Sequence, residues 1–360
     1  MTQEKDLTTA SSITDSDFLR TIDATDNSEK ILASTLKTYI EDGTITELNK
    51  SRGFDRLTPD DMGVPSYDVP NRKFSMAVKG GQTYFEFWAD GNRFEKTVTQ
   101  EKVWPDVTGK YYFYFDTSGD LQYLLSSDMT YEIFCSSAIC GLVYWNATTG
   151  EAINQAIDEQ HGIGMPAPTH FRLHMRTGAV HAQGGDITGL EDGEPDYTNI
   201  STVFSMDEDI NIITTTTTTT PFIYREGGSG DFVQTATPDL LLGYKVGGTG
   251  DVQYNKNTAG VWSLEDSSGY VIYYFYWTND ANNPIKKFVG NEDYSSRSEA
   301  REALKSEVGV IQVTGLPSPE AYPMFAYIVK ANGDLEDSGN PSHYTYVDLR
   351  YPNYFDAIEE

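Results

Sequence analysis

Four of the five histidines, His161, His170, His174 and His181, fall within 21 residues, and no other stretch concentrates imidazoles in this way. His170-Phe-Arg-Leu-His174 has the i, i+4 spacing that sets two imidazoles on one face of a helix, as zinc sites require. On a strand the same residues would share a face but stand too far apart to chelate one ion within one chain. Phe171 occupies the place where a catalytic zinc motif carries its glutamate base. His161, His170 and His174 are therefore candidate metal ligands, including for an ion that bridges subunits around a common axis. The competing and commoner outcome is histidines satisfied by structural or interface contacts.

Other chemistries leave weaker traces. With 54 acidic residues, a pair such as Asp158-Glu159 means little. The acidic runs Asp207-Glu-Asp209 and Glu191-Asp-Gly-Glu194 lack the alternating spacing of a calcium loop and read as solvated surface. There is no Gly-x-Ser-x-Gly elbow, Walker loop or Gly-x-Gly-x-x-Gly after a strand, and neither Cys135 nor Cys140 has a cationic neighbour in sequence. No catalytic residue and no cofactor is assigned, and the chain is expected not to be an enzyme. The two cysteines read as buried thiols on opposite faces of one strand. A net charge of −28 argues against nucleic acid and anionic membranes as partners, because both are met through cationic side chains. The polar amino terminus and the absence of 18 consecutive apolar residues predict synthesis in the cytosol without membrane insertion.

The elements that must position these groups are mostly strands. Phe, Tyr and Trp make up 13% of the chain and favour sheet, while 31 glycines and 15 prolines predict frequent turns. Residues 1–50 read as an extended arm, a hairpin and a short helix. Ile31, Leu36, Tyr39 and Ile40 supply its apolar contacts, and a module this small must pack on another copy or another protein. Residues 51–190 hold seven short β runs, among them Lys110–Phe115, Tyr131–Cys135 and Leu142–Trp145, and predict a first β domain. The stretch from Asp158 to Asp196 reads as an interdomain or interface segment. Residues 191–220 end in seven threonines, Thr214–Thr220, a spacer or edge strand between domains. Residues 221–360 form a second β domain with one helix, opened by the capping box Ser296-Arg-Ser-Glu299 and ended at Gly309. The expected fold is mainly β: a small anchor followed by two β-sandwich-like domains.

Several segments also resemble known proteins. The Asp17–Ile40 stretch is similar to the amino-terminal module of tailed-bacteriophage fibre and appendage proteins. Asp158-Glu-Gln-His-Gly162, Thr169-His-Phe-Arg-Leu-His174, Thr177-Gly-Ala-Val180, Pro221–Asp231 and Trp277–Pro284 resemble a recurrent phage structural protein of the same class. The resemblance implies a virion protein, a homotrimeric tail fibre or similar appendage. It would be held by other tail or head proteins through its amino terminus and would meet a host surface glycan or protein receptor. A head-decorating fibre or cement protein and a polysaccharide-degrading appendage enzyme are the alternatives. The resemblance supplies no catalytic residues.

Overall fold

The structure is a computed structural model that describes residues 51–190, 196–245, 250–311, 316, 320–333 and 346–350. The chain divides between Lys50 and Ser51, and the unit described here begins at Ser51. The candidate anchor residues Ile31, Leu36, Tyr39 and Ile40, and the Glu191–Glu194 run, lie outside the described residues. The described part is mainly β.

Strands β1 (Val64–Asp68), β2 (Lys73–Ala77) and β5 (Gln100–Val103) form one sheet, and β3 (Phe85–Ala89) and β4 (Asn92–Lys96) form a hairpin. A four-stranded antiparallel sheet follows, in the order β7 (Leu121–Leu125), β6 (Gly109–Phe115), β8 (Ala138–Asn146), β9 (Glu151–Gln155). The aromatic run of β6 serves two buried faces, as period-two alternation requires. Tyr111, Phe113 and Phe115 enter a core with Phe74, Trp104 and Trp145, whereas Tyr112 and Tyr114 face Phe134 and Phe171. Those last two belong to helices α1 (Tyr131–Ser136) and α2 (Ala167–Arg176).

Helix α1 replaces the strand expected over Tyr131–Cys135. Thr130 caps it, its side chain accepting a hydrogen bond from Ile133 N, which outweighs the β-favouring composition over so few residues. Cys135 thus sits on a helix, part-buried, and Cys140 on β8, fully buried; both are free thiols.

After α2 come β10 (Ala179–Gly184), the short pair β11 (Ile187–Thr188) and β12 (Asn199–Ile200), and the hairpin β13 (Val203–Asp207) with β14 (Ile210–Thr214). β10, β13 and β14 form one antiparallel sheet. The threonine run is tied into the fold at both ends. Trp277 Nε1 donates to Thr214 Oγ1 at 2.9 Å, and buried Thr220 exchanges a hydrogen bond with Tyr197 OH at 3.0 Å.

The rest is organised by a six-stranded sheet of β15 (Phe222–Glu226), β16 (Asp231–Gln234), β19 (Tyr270–Thr278), β20 (Ile285–Val289), β21 (Ala321–Lys330) and β22 (Tyr346–Asp348), in the order β16-β15-β20-β19-β21-β22. β17 (Gln253–Thr258) and β18 (Val261–Asp266) form a separate hairpin. Strand β19 is covered on both sides. Val271, Tyr273, Phe275 and Trp277 enter one core, and Ile272, Tyr274 and Tyr276 enter another with Ala300 and Leu304 of helix α3 (Arg297–Ile311). Ser296 Oγ accepts from Glu299 N as the capping box requires, while Glu299 Oε2 accepts from Ser295 N rather than Ser296 N. The helix runs through Gly309 to Ile311, past the expected stop.

The regions 51–190 and 221–360 share a buried boundary. Tyr144 and Ile153 pack into the core beneath α3, and Asn146 Nδ2 donates to Phe232 O at 2.7 Å. The Asp158–Asp196 stretch, expected as an interdomain or interface segment, contributes α2 and β10 to this interior. No helix among the described residues is long and apolar enough to cross a membrane.

Candidate functional site

Helix α2 brings the first groups together. Pro168 sits in its first turn, where a missing N–H costs no hydrogen bond, and Ala167, His170 and His174 form its buried face. The i, i+4 pair is therefore helical. Thr177 N and Gly178 N both donate to Leu173 O, and Gly178, at φ 58°, takes the left-handed turn that ends the helix. Phe171, on the flank, packs on Tyr131 and Phe134.

His161 arrives from the loop after β9. Phe54 N donates to His161 O, and Gly53 passes so close that a Cβ there would stand 2.2 Å from that oxygen. With φ 96° as well, position 53 suits glycine alone. Glu208 comes from the two-residue turn joining β13 to β14, where Asp207 pairs with Ile210. Its φ of 47° is one that residues other than glycine and asparagine rarely adopt, so a carboxylate is placed where turn chemistry favours something else.

These segments converge within one chain, so no second subunit is needed to assemble the three imidazoles. The rings of His161 and His170 lie 4.2 Å apart between centroids, and those of His170 and His174 5.9 Å. Glu208 Oε2 lies 3.4 Å from His161 Nε2 and 3.5 Å from His170 Nε2, and Glu208 Oε1 lies 3.5 Å from His174 Nδ1. Glu159 Oε2 stands 3.9 Å from His161 Nε2. The Asp207–Asp209 run, expected as solvated surface, is thus part of the site: Asp207 and the Glu208 side chain are buried, and Asp209 is part-buried. His181 lies apart on β10, its Nε2 bonded to Gly184 O.

Most members are held from outside. His161 Nδ1 meets Asp209 Oδ1 at 2.7 Å, and Gly162 N donates to the other oxygen of Asp209. His174 Nε2 meets Glu320 Oε1 at 3.0 Å and Tyr112 OH at 3.1 Å. Asn279 Nδ2, just beyond β19, donates to Asp158 O, Glu159 Oε1 and Asp207 Oδ2. Arg52 Nη2 contacts His170 Nδ1. The atoms left over point inward: Glu159 Oε2, His161 Nε2, His170 Nε2, His174 Nδ1, Asp207 Oδ1 and both Glu208 oxygens are buried without a hydrogen-bond partner. Buried polar atoms are nearly always partnered, so this many in one place calls for a physical cause.

Without an ion, the cluster would balance its charge with protons. Burial pushes Glu159 well up, its carboxylate neighbours adding to it, and Asp207 rises to about 8 through burial and Glu208. For His174 burial works downward, but Glu320 and Glu208 outweigh it and hold the ring at about 9. Burial likewise opposes a charge on His161, and Asp209 and its neighbours raise it nonetheless. His170 is driven well down by burial and the facing His161, so it stays neutral, as an imidazole accepting from Arg52 must. Glu208 stays ionised because the histidines around it overcome its burial.

Two sets of donor atoms lie within 4.8 Å of one another: His161, His170 and Glu208, and Glu159, His161 and Asp207. Either is a chemically reasonable metal shell of imidazole and carboxylate. Sequence reasoning singled out the three histidines but missed Glu159, Asp207, Glu208, Glu320, Asn279 and Arg52. The available signal was the neighbourhood of the histidine segment: Asp158-Glu-Gln-His-Gly162 and Thr169–His174, two of the stretches that carry the resemblance, are the ones that converge here. Comparison with family models, curated proteins and solved structures returns no match for this chain.

Proposed function

We propose that this protein is a non-enzymatic structural component of a tailed-bacteriophage particle, a trimeric tail fibre or fibre-like appendage. Residues 1–50 fasten it to other virion proteins, and the β regions serve as its shaft or host-facing part. The observation that carries this reading is the burial of the carboxylates and imidazoles. Glycoside hydrolysis needs two carboxyl groups flanking a bond of a bound polymer, and Glu159, Asp207, Glu208 and Glu320 lie inside the fold, where a polysaccharide has no access. The mainly β architecture and the segments resembling phage structural proteins support the same reading.

Light scattering of the purified full chain tests the oligomer, and immunogold labelling of particles tests the location. A trimer that labels tail appendages is expected, and labelling over the head would favour the decorating-fibre alternative. A stable monomer at micromolar concentration that labels no particle would contradict the proposal. So would cleavage of host polysaccharide that is lost on Glu208→Gln.

A further inference from the structure

We propose that the buried cluster is a binding site for a single divalent transition-metal ion of the zinc class, held by His161 Nε2, His170 Nε2 and Glu208, with one carboxylate oxygen of Glu159 or Asp207 as the fourth ligand. This is independent of where the protein sits in a particle.

Geometry is the first argument. Ligands about 2.0–2.1 Å from a four-coordinate ion stand roughly 3.3–3.4 Å from one another. The His161 Nε2 to Glu208 Oε2 and His170 Nε2 to Glu208 Oε2 separations are 3.4 and 3.5 Å. Two imidazole nitrogens and a carboxylate make a donor set that zinc takes readily, whereas calcium and magnesium want shells of oxygen. The stoichiometry follows from the shared atom. Both donor sets include His161, whose Nδ1 is taken by Asp209, and the remaining Nε2 has one lone pair, so the two sets compete for one ion and do not hold two.

The outer contacts give the second argument. A metal-binding histidine characteristically gives its other ring nitrogen to a carboxylate or carbonyl, which fixes the tautomer and frees the near lone pair. Asp209 does this for His161, and Asn279 anchors the far oxygens of Glu159 and Asp207 while their near oxygens stay bare. His170 is the exception. Its Nδ1 faces the Arg52 guanidinium, which can only donate, so its proton belongs on Nε2. Binding an ion at Nε2 therefore requires Arg52 to turn away from Nδ1. His174, fastened to Glu320 and Tyr112, faces the opposite Glu208 oxygen and orients that carboxylate.

The test is the metal content of the full chain, purified from cells supplied with zinc and dialysed against metal-free buffer. About one zinc per chain is expected, unmoved by excess calcium or magnesium. His161→Ala and Glu208→Gln are each expected to weaken retention by at least about tenfold, while His181→Ala retains the ion fully. Arg52→Gln is expected to bind at least as tightly as the parent, and a loss there would overturn His170 as a ligand. Should His161→Ala fail to fold, the cobalt-substituted parent decides. Intense visible absorption, as four-coordinate cobalt gives, is expected, and a weak six-coordinate spectrum or none would overturn the proposal. Wild-type protein that carries no transition metal and whose thermal unfolding zinc does not move would also overturn it, as would equal retention in His161→Ala and His181→Ala.

Discussion

The molecule buries charge in two contrasting places. On β20, consecutive lysines are fully enclosed, and each ammonium finds its acceptors. Lys286 Nζ donates to Ile153 O, Gln234 Oε1 and Asp280 Oδ2, and Lys287 Nζ to Asp239 O, Asp239 Oδ1 and Leu241 O. Three donors meet three acceptors, so each lysine is a completed tie, Lys286 across the boundary between the β regions and Lys287 to the loop holding Asp239. Around Glu208 the reverse holds: most outer atoms are fastened, Arg52 Nε and Glu320 Oε2 excepted, and the inner atoms are bare. The first arrangement is finished by the chain itself, and the second leaves its inner atoms to protons or to the proposed cation. Burial of charge alone therefore does not separate structure from binding. Several unpartnered donor atoms converging on one point do.

Loss of a finished tie should cost the most stability. Lys286→Met should cost about 3–5 kcal/mol, because it leaves Asp280 buried without its counter-charge. Urea unfolding measures this, and a loss under about 1 kcal/mol would mean the tie is not structural. Lys287→Met should cost less, since its partner Asp239 is 36% exposed and regains water.

Glu307 shows a third way to bury an acid, with donors but no cation. Its oxygens accept from Asn291 N, Tyr274 OH and Tyr294 OH, yet burial outweighs these bonds and raises the carboxyl to about 7. The folded state then holds more protons than the unfolded chain between the ordinary value of 4.5 and about 7. Stability should fall as pH rises through that window, by at most about 1.4 kcal/mol per unit, and level off above it. Glu307→Gln should remove that slope. An unchanged pH profile in the variant would place its origin elsewhere.

The smallest effect is at Asn279. Asn279→Leu releases Glu159 and Asp207 from their anchor without touching the imidazoles, and should weaken zinc retention about tenfold. Calorimetric titration measures the change, and unaltered affinity would remove those two carboxylates from the shell.

Much of this was legible from sequence where spacing is local. The Lys110–Phe115 run reads as a strand and is one, because alternating aromatics suit a sheet covered on both faces. His170 and His174 share a helical face as their spacing allows. The capping box at Ser296 marks the start of α3 correctly, though Gly309 does not stop it. The rest depends on long-range placement. Nothing local in Asp207-Glu-Asp209 indicates that the turn aims Glu208 inward, and among so many acids the run looks like ordinary surface. Arg52, Asn279 and Glu320 join the cluster from positions far away in the chain, which no periodicity encodes. Tyr131–Cys135 has strand composition, and one threonine cap makes it a helix.

Whether the cluster around Glu208 takes a cation is decided by anomalous diffraction at the zinc absorption edge from crystals of the full chain grown with zinc. One strong peak is expected between His161, His170 and Glu208, with Arg52 turned from His170. No peak there, or a peak only elsewhere, such as beside half-buried His181, would contradict it.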